Sequence, residues 1–199
     1  MSTAALLHID NDPIWQLPSR GRVGMACVIL AESAVFTIFV VAYIYYIGRD
    51  VNGPKPQDVL KPPIFGTICL LSSSFFIWLA ERAIERGRMQ AFRFYWAVTT
   101  MLGALFLADT GVEWRKLLTQ DHLTISTNLF GTTFYSLVGL HASHVIVGLL
   151  LLSVTLVAAL TNKLTPAHSE RVQVLALYWH FVDAVWVVVF TVVYLVSAR

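Results

Sequence analysis

The sequence predicts an all-α integral membrane protein: five transmembrane helices, with the N-terminus cytoplasmic and the C-terminus on the outer side. Three observations predict it. The 199 residues are 57% hydrophobic and only 13% charged, against about 25% charged in a soluble domain, so the chain lacks the charge to coat a water-facing surface. Its mean hydropathy is +0.67. Five apolar stretches each reach the ~20 residues that cross a ~30 Å hydrocarbon core as a helix. A net charge of +2 is too small to point to nucleic acid.

In chain order, residues 1–22 read as a non-helical cytoplasmic lead-in, kept extended by Pro13 and Pro18. The segment lacks the apolar run of a signal peptide, and His8 reads as a solvated residue. Residues 23–199 read as a single transmembrane domain. Its first span, about Val23–Ile47, is interrupted by Glu32 and ends in Tyr43, Tyr45 and Tyr46, expected at the headgroup level. A Gly- and Pro-rich loop follows. The second span, about 64–83, carries Ser72, Ser73 and Ser74, small residues that let a neighbouring helix approach closely. Glu81, Arg82, Glu85, Arg86 and Arg88 then mark water.

The third span, about 92–113, has Asp109 in its last turns and closes at Trp114-Arg115-Lys116. The fourth, 129–160, amounts to ~48 Å of helix at 1.5 Å per residue, so it must tilt, protrude or begin with a bend near Gly131. The fifth covers about 172–196. Five spans put the termini on opposite sides. Of the fourteen Lys and Arg residues, eight fall on the side of the lead-in, which the positive-inside rule makes cytoplasmic. Cys27 and Cys69 lie at different depths on this topology. No disulfide is expected between them, because Cα atoms more than ~7 Å apart cannot be bridged. Trp78, Trp96, Trp114, Trp179 and Trp186 read as belt or core residues.

The chemistry-bearing residues are intramembrane. His180 and Asp183 stand three apart on one helix face, and His141 and His144 repeat that spacing on the fourth span. With Glu32 they lie within a few turns of the midplane, while Asp109 lies nearer the outer face. Three readings compete. Three histidines are a possible Zn or Cu set, but neighbours on one helix cannot both be axial ligands of one haem iron, and no haem-attachment motif is present. Membrane acids and histidines are also the usual material of a proton path. In the third reading they hydrogen-bond one another and tie helices together, at about 0.6 kcal/mol per pair.

Tyr178-Trp179-His180-Phe181-Val182-Asp183, with Val185-Trp186 after it, resembles the last-helix signature of subunit III of the haem–copper respiratory oxidases. Gly139-x-His141-x-x-His144-Val145-x-x-Gly148 resembles the helix before it. Gly24-Met25 with Glu32, Leu70-Leu71-Ser72-Ser73, and Glu113-Trp114 also fit, in order, from about Arg20 to the end. The chain is similar to the short five-helix bacterial form of this family, the cytochrome c oxidase subunit 3 family, which implies a splayed five-transmembrane-helix bundle with its C-terminus on the periplasmic side. Ala142-Ser143 departs from the usual pair between the histidines and is similar to the related accessory protein of nitric oxide reductase. Asp109 is left unexplained by the resemblance.

The resemblance implies an accessory, non-catalytic chain with no catalytic, cofactor-binding or metal-binding residue of its own. Its principal contact would be oxidase subunit I, with subunit II in the same complex and a respiratory supercomplex as a further setting. Haem and copper would reside in those partners, and so would the site for the electron donor, cytochrome c or quinol. Structural phospholipid would occupy a cleft near Glu32 and the histidines. The implied location is the bacterial inner membrane. The implied role is to support stability, lipid binding and proton uptake of subunit I while the complex reduces oxygen and pumps protons. A nitric oxide reductase accessory chain, an autonomous transporter and a membrane cytochrome are the alternatives.

Overall fold

The computed structural model describes residues 19–49 and 56–196. His8, Pro13 and Pro18 of the lead-in, and Arg199, lie outside the described residues. Every regular element among the described residues is helical. Helix α1 (Arg20–Tyr46) starts earlier than its apolar run because Ser19 Oγ accepts the Arg22 N–H at 3.4 Å, an N-cap. Arg20–Arg22, expected in the lead-in, are therefore helical. Tyr43 also does not face outward with the other two tyrosines. It is buried with its ring 6.4 Å from that of Phe130, whereas Tyr45 and Tyr46 are exposed. The reason is helical phase, since Tyr43 shares a face with Phe36, two turns earlier.

After the single turn α2 (Pro56–Val59), helices α3 (Ile64–Glu85) and α4 (Met89–Thr119) form a tight hairpin. Gly87 makes the turn at φ +69°, where a side chain would strain. Its N–H bonds the Ile84 carbonyl at 3.0 Å and the Arg88 N–H bonds that of Ala83 at 2.9 Å, the Schellman pattern that satisfies the last carbonyls of a helix. Helix α4 outruns its apolar signal. Arg115, Lys116 and Leu118 are good helix formers, and Leu117 buries its side chain, so the helix continues past Trp114 into what the sequence presents as a loop.

Helix α5 (Leu129–Leu160) is continuous, and Asn128 Oδ1 caps it through the Gly131 N–H at 2.8 Å. The helix runs through Gly131 without interruption. Helix α6 (Ser169–Phe190) enters through a 3₁₀ turn at Pro166–His168 and finishes as a π turn over Thr191–Val196. Five of these helices are long and apolar enough to cross a membrane.

Helices α5 and α6 are the central pair. The α3–α4 hairpin packs on one side of them and α1 on the other. The hairpin side is fastened by three buried indoles. Trp96 Nε1 donates to the Leu152 carbonyl at 2.9 Å, Trp179 Nε1 to Ser73 Oγ at 2.8 Å and Trp186 Nε1 to Thr67 Oγ1 at 3.2 Å. The Trp179 ring lies between two glycines, Gly103 of α4 and Gly148 of α5. A Cβ at either would stand 2.7 Å from the ring. By contrast, α1 buries only Phe36 and Tyr43 and leaves Leu30, Ile38 and Val41 exposed.

Gly148→Ala is expected to overpack this joint and destabilise the chain by about 1–3 kcal/mol, read as a lowered thermal midpoint in detergent. Gly24→Ala, where nothing lies within 4 Å of the new Cβ, is the matched control and should not lower it. Equal midpoints for the two variants would show that Trp179 is not held between the glycines.

Candidate functional site

The residues singled out in the sequence occupy separate places. On the α1 side, His144 Nε2 lies 3.1 Å from Glu32 Oε2. Its Nδ1 lies 2.8 Å from the Leu140 carbonyl. A carbonyl only accepts, so Nδ1 carries a hydrogen. Nε2 and the carboxyl then share one further proton: either the acid is neutral and donates, or the imidazolium donates to the carboxylate. Both arrangements are net neutral, as suits a pair at bilayer depth. Phe36 covers the imidazole at 5.0 Å between centroids. The carboxyl side remains open, with the Glu32 side chain 34% exposed against 13% for His144.

On the hairpin side, α3 and α6 build a second set. Ser74 Oγ donates to Asp183 Oδ2 and lies 3.1 Å from His180 Nδ1. Because the hydroxyl hydrogen is committed to the carboxyl, the imidazole supplies the hydrogen of the second bond. His180 Nε2 then faces Glu81 Oε2 at 3.7 Å, an ion-pair distance when the ring is protonated. The set runs from Glu81 near the helix end to Asp183, which is 3% exposed. The i,i+3 expectation that His180 and Asp183 face one way is met through a shared serine.

His141 does not join His144. Its ring stacks on Trp186 at 5.0 Å, with Phe106 edge-on at 6.0 Å. Among the described residues neither ring nitrogen has a hydrogen-bond partner, and the residue is 1% exposed. Asp109 sits against protein: its Oδ2 accepts the Gly66 N–H at 3.1 Å. That N–H belongs to the first turn of α3, where Pro63 offers no side-chain cap. Asp109 therefore caps a neighbouring helix, which satisfies an orphan donor and places an acid at the positive end of the helix dipole. One turn further, Tyr194 donates to Glu113 Oε1 at 3.0 Å and ties the π turn to α4.

The sequence reading missed Ser74 and Glu81 as members of the site. Ser74 was legible only as a small residue, and Glu81 as a mark of water. Their spacing of two helical turns, which places both on one face, was the available signal. Among the described residues no three His, Cys, Asp or Glu side chains converge as a metal site requires. What the arrangement can do is hold protons and lock helices.

A family model described as "Cytochrome c oxidase subunit III" matches residues 19–198. The cytochrome c oxidase subunit 3 of Alkalihalophilus pseudofirmus is 34% identical over 83% of this chain and 82% of its own length. That of Synechocystis is 34% identical over 89% and 76%. The cytochrome bo(3) ubiquinol oxidase subunit 3 of Pseudomonas aeruginosa is 32% identical over 95% and 91%.

Two outcomes follow from the geometry. A double-mutant cycle of Glu32→Ala and His144→Ala should give a favourable coupling of about 0.6 kcal/mol, within the range of membrane hydrogen bonds. Zero coupling would mean that the pair is not formed. Ser74→Ala should destabilise the chain by about 1–3 kcal/mol, because it strips a buried carboxyl of its donor. Thermal unfolding checks it against Ser143→Ala, whose hydroxyl bonds only its own helix at the Leu140 carbonyl and whose loss should be near neutral.

Proposed function

The chain belongs to the cytochrome c oxidase subunit III family, and from that premise we propose what it contributes to the oxidase. It is an accessory subunit III of a haem–copper oxidase. In our reading it is non-catalytic and lies beside subunit I in the bacterial inner membrane, with subunit II in the same complex and its own N-terminus cytoplasmic. Haem and copper belong to those partners. Its work is to keep the catalytic subunit supplied with protons and intact through repeated turnover.

The observation that carries this reading is the half-open Glu32–His144 pair on the flank of a sparsely packed helix. An ionisable group facing lipid at mid-depth costs about 2.5–3.5 kcal/mol on insertion scales, so such groups normally face protein, a partner or a polar cavity. The flank of α1 is therefore a surface for ordered lipid or a partner subunit rather than bulk bilayer. A neighbour that orders lipid there changes the dielectric around acids at the entrance of a proton path, and so their proton affinity. Relatives named for cytochrome c and for ubiquinol oxidation both match the chain. The role proposed here accordingly involves no contact with the electron donor.

The test is purification of the complex through this chain in mild detergent, followed by its selective removal. A large polytopic haem–copper subunit should co-purify, and mass spectrometry of the remaining chains names the donor class. The stripped oxidase should lose steady-state oxygen consumption and inactivate after fewer turnovers. A stripped enzyme with unchanged rate and lifetime would end the proposal. A nitric oxide reductase catalytic subunit as the partner would move the chain to that assembly.

A further inference from the structure

Among the described residues, the α3–α4 turn gathers three guanidinium groups without a counter-charge. Arg82, Arg86 and Arg88 line a pocket of about 290 Å³ with Trp78, Ala91 and Tyr95 among its walls. Arg82 lies over the Trp78 ring at 3.8 Å. The acids at this end of α3 are engaged elsewhere: Glu81 faces His180, and Glu85 accepts from Gln173 on α6. Among the described residues no carboxylate lies within ion-pair distance of the three arginines. Like charges one helical turn apart repel, and the Gly87 turn fixes Arg88 beside that pair. The positive-inside rule accounts for the side of the membrane on which arginines collect, but not for their convergence in a pocket free of acid.

Two further features belong to the same place. The first turn of α4, which opens at the pocket, has neither a capping side chain nor an acidic residue, so its N–H groups and dipole favour an anion. Below the pocket, Ile68, Leu71, Phe75 and Trp78 form one exposed apolar stripe along α3 that leads to Arg82, and Phe75 stacks on Trp78 at 6.0 Å. Headgroup-level aromatics, a basic pocket above them and an apolar track beneath match the three parts of an anionic phospholipid.

We infer that the α3–α4 turn binds a phosphate group, and that this phosphate is the headgroup of an anionic phospholipid whose acyl chain lies along the α3 stripe. A soluble phosphate shares the recognition chemistry but makes no use of the stripe. The site lies across α5 and α6 from Glu32, so it is separate from the cleft lipid that the family resemblance implies. It rests on the helices crossing a bilayer and not on membership of an oxidase.

The experiment is native mass spectrometry of the purified, delipidated complex titrated with phosphatidylglycerol or phosphatidylcholine. The wild type should retain phosphatidylglycerol with roughly tenfold preference, because both headgroups carry the phosphate but only in phosphatidylglycerol is its negative charge left uncompensated beside the arginines. The combined variant Arg82→Gln/Arg86→Gln/Arg88→Gln should lose that preference. A second measurement needs no variant: phosphatidylglycerol should protect the three arginines of the wild type from phenylglyoxal, while phosphatidylcholine does not and Arg115, at the other end of α4, stays reactive throughout. Equal retention of the two lipids, or an unchanged triple variant, would overturn the site. Inorganic phosphate that protects as well as the lipid would replace the lipid with a soluble anion. Arginines already protected in the delipidated complex would assign the pocket to an acidic side chain of a partner subunit.

Discussion

The indole of Trp179 is the joint on which this bundle depends. Lipid tails are as apolar as leucine, so burial of side chains does not by itself drive helices together in a bilayer. Close packing and interhelical hydrogen bonds do. Trp179 supplies both at one position, filling the recesses at Gly103 and Gly148 and donating its N–H to Ser73. One side chain of α6 thereby touches α3, α4 and α5. The N–H needs that partner, because an unsatisfied donor in hydrocarbon costs several kcal/mol. The polar site inherits its geometry from the joint. Ser74 follows Ser73 and His180 follows Trp179, so the helix pair that is pinned by the indole is also the pair that brings Ser74 to His180 and Asp183.

The polar residues form two systems on different helix pairs. Glu81, His180, Ser74 and Asp183 run along the axis between α3 and α6 and end in a buried carboxyl. Glu32 and His144 form a lateral pair that opens toward whatever covers α1. The central α5–α6 pair separates them, with His141 in an aromatic enclosure between. The axial set is buried at its Asp183 end, while the His180 side chain is 36% exposed, about as open as Glu32 at 34%. The lateral pair leaves the Glu32 carboxyl partly open on the flank of α1, and this fits a chain that works as a subunit.

Most of the fold was legible in the sequence because each span is a run of apolar residues long enough to cross. Local chemistry decided the differences. Helix α4 extends past Glu113 because helix propensity outlasts hydropathy through Arg115–Leu118, and α1 begins early because Ser19 caps it. The site was less legible. His141 and His144 share a face on the usual rule, yet three residues at 3.6 per turn leave them about 60° apart. At a junction of several helices that is enough to send one to α1 and the other to Trp186. Asp109 fits no family signature, and its role appears only when the uncapped start of α3 stands beside it. Helix-end donors of a neighbouring segment leave no trace in the acid's own sequence context.

The order in which the chain is made gives the loose attachment of α1 a temporal meaning. Helices α3 and α4 find each other at once across a turn that closes at Gly87, whereas α1 packs on α5 and α6, the last elements to be synthesised. His144 lies 112 residues after Glu32. At about 5–20 residues per second, that separates the two by roughly 6–22 s of translation. When helices enter the bilayer in chain order, Glu32 spends this interval without its imidazole. An insertion chaperone or an early-arriving catalytic subunit has its natural window there, before the chain can neutralise its own carboxyl.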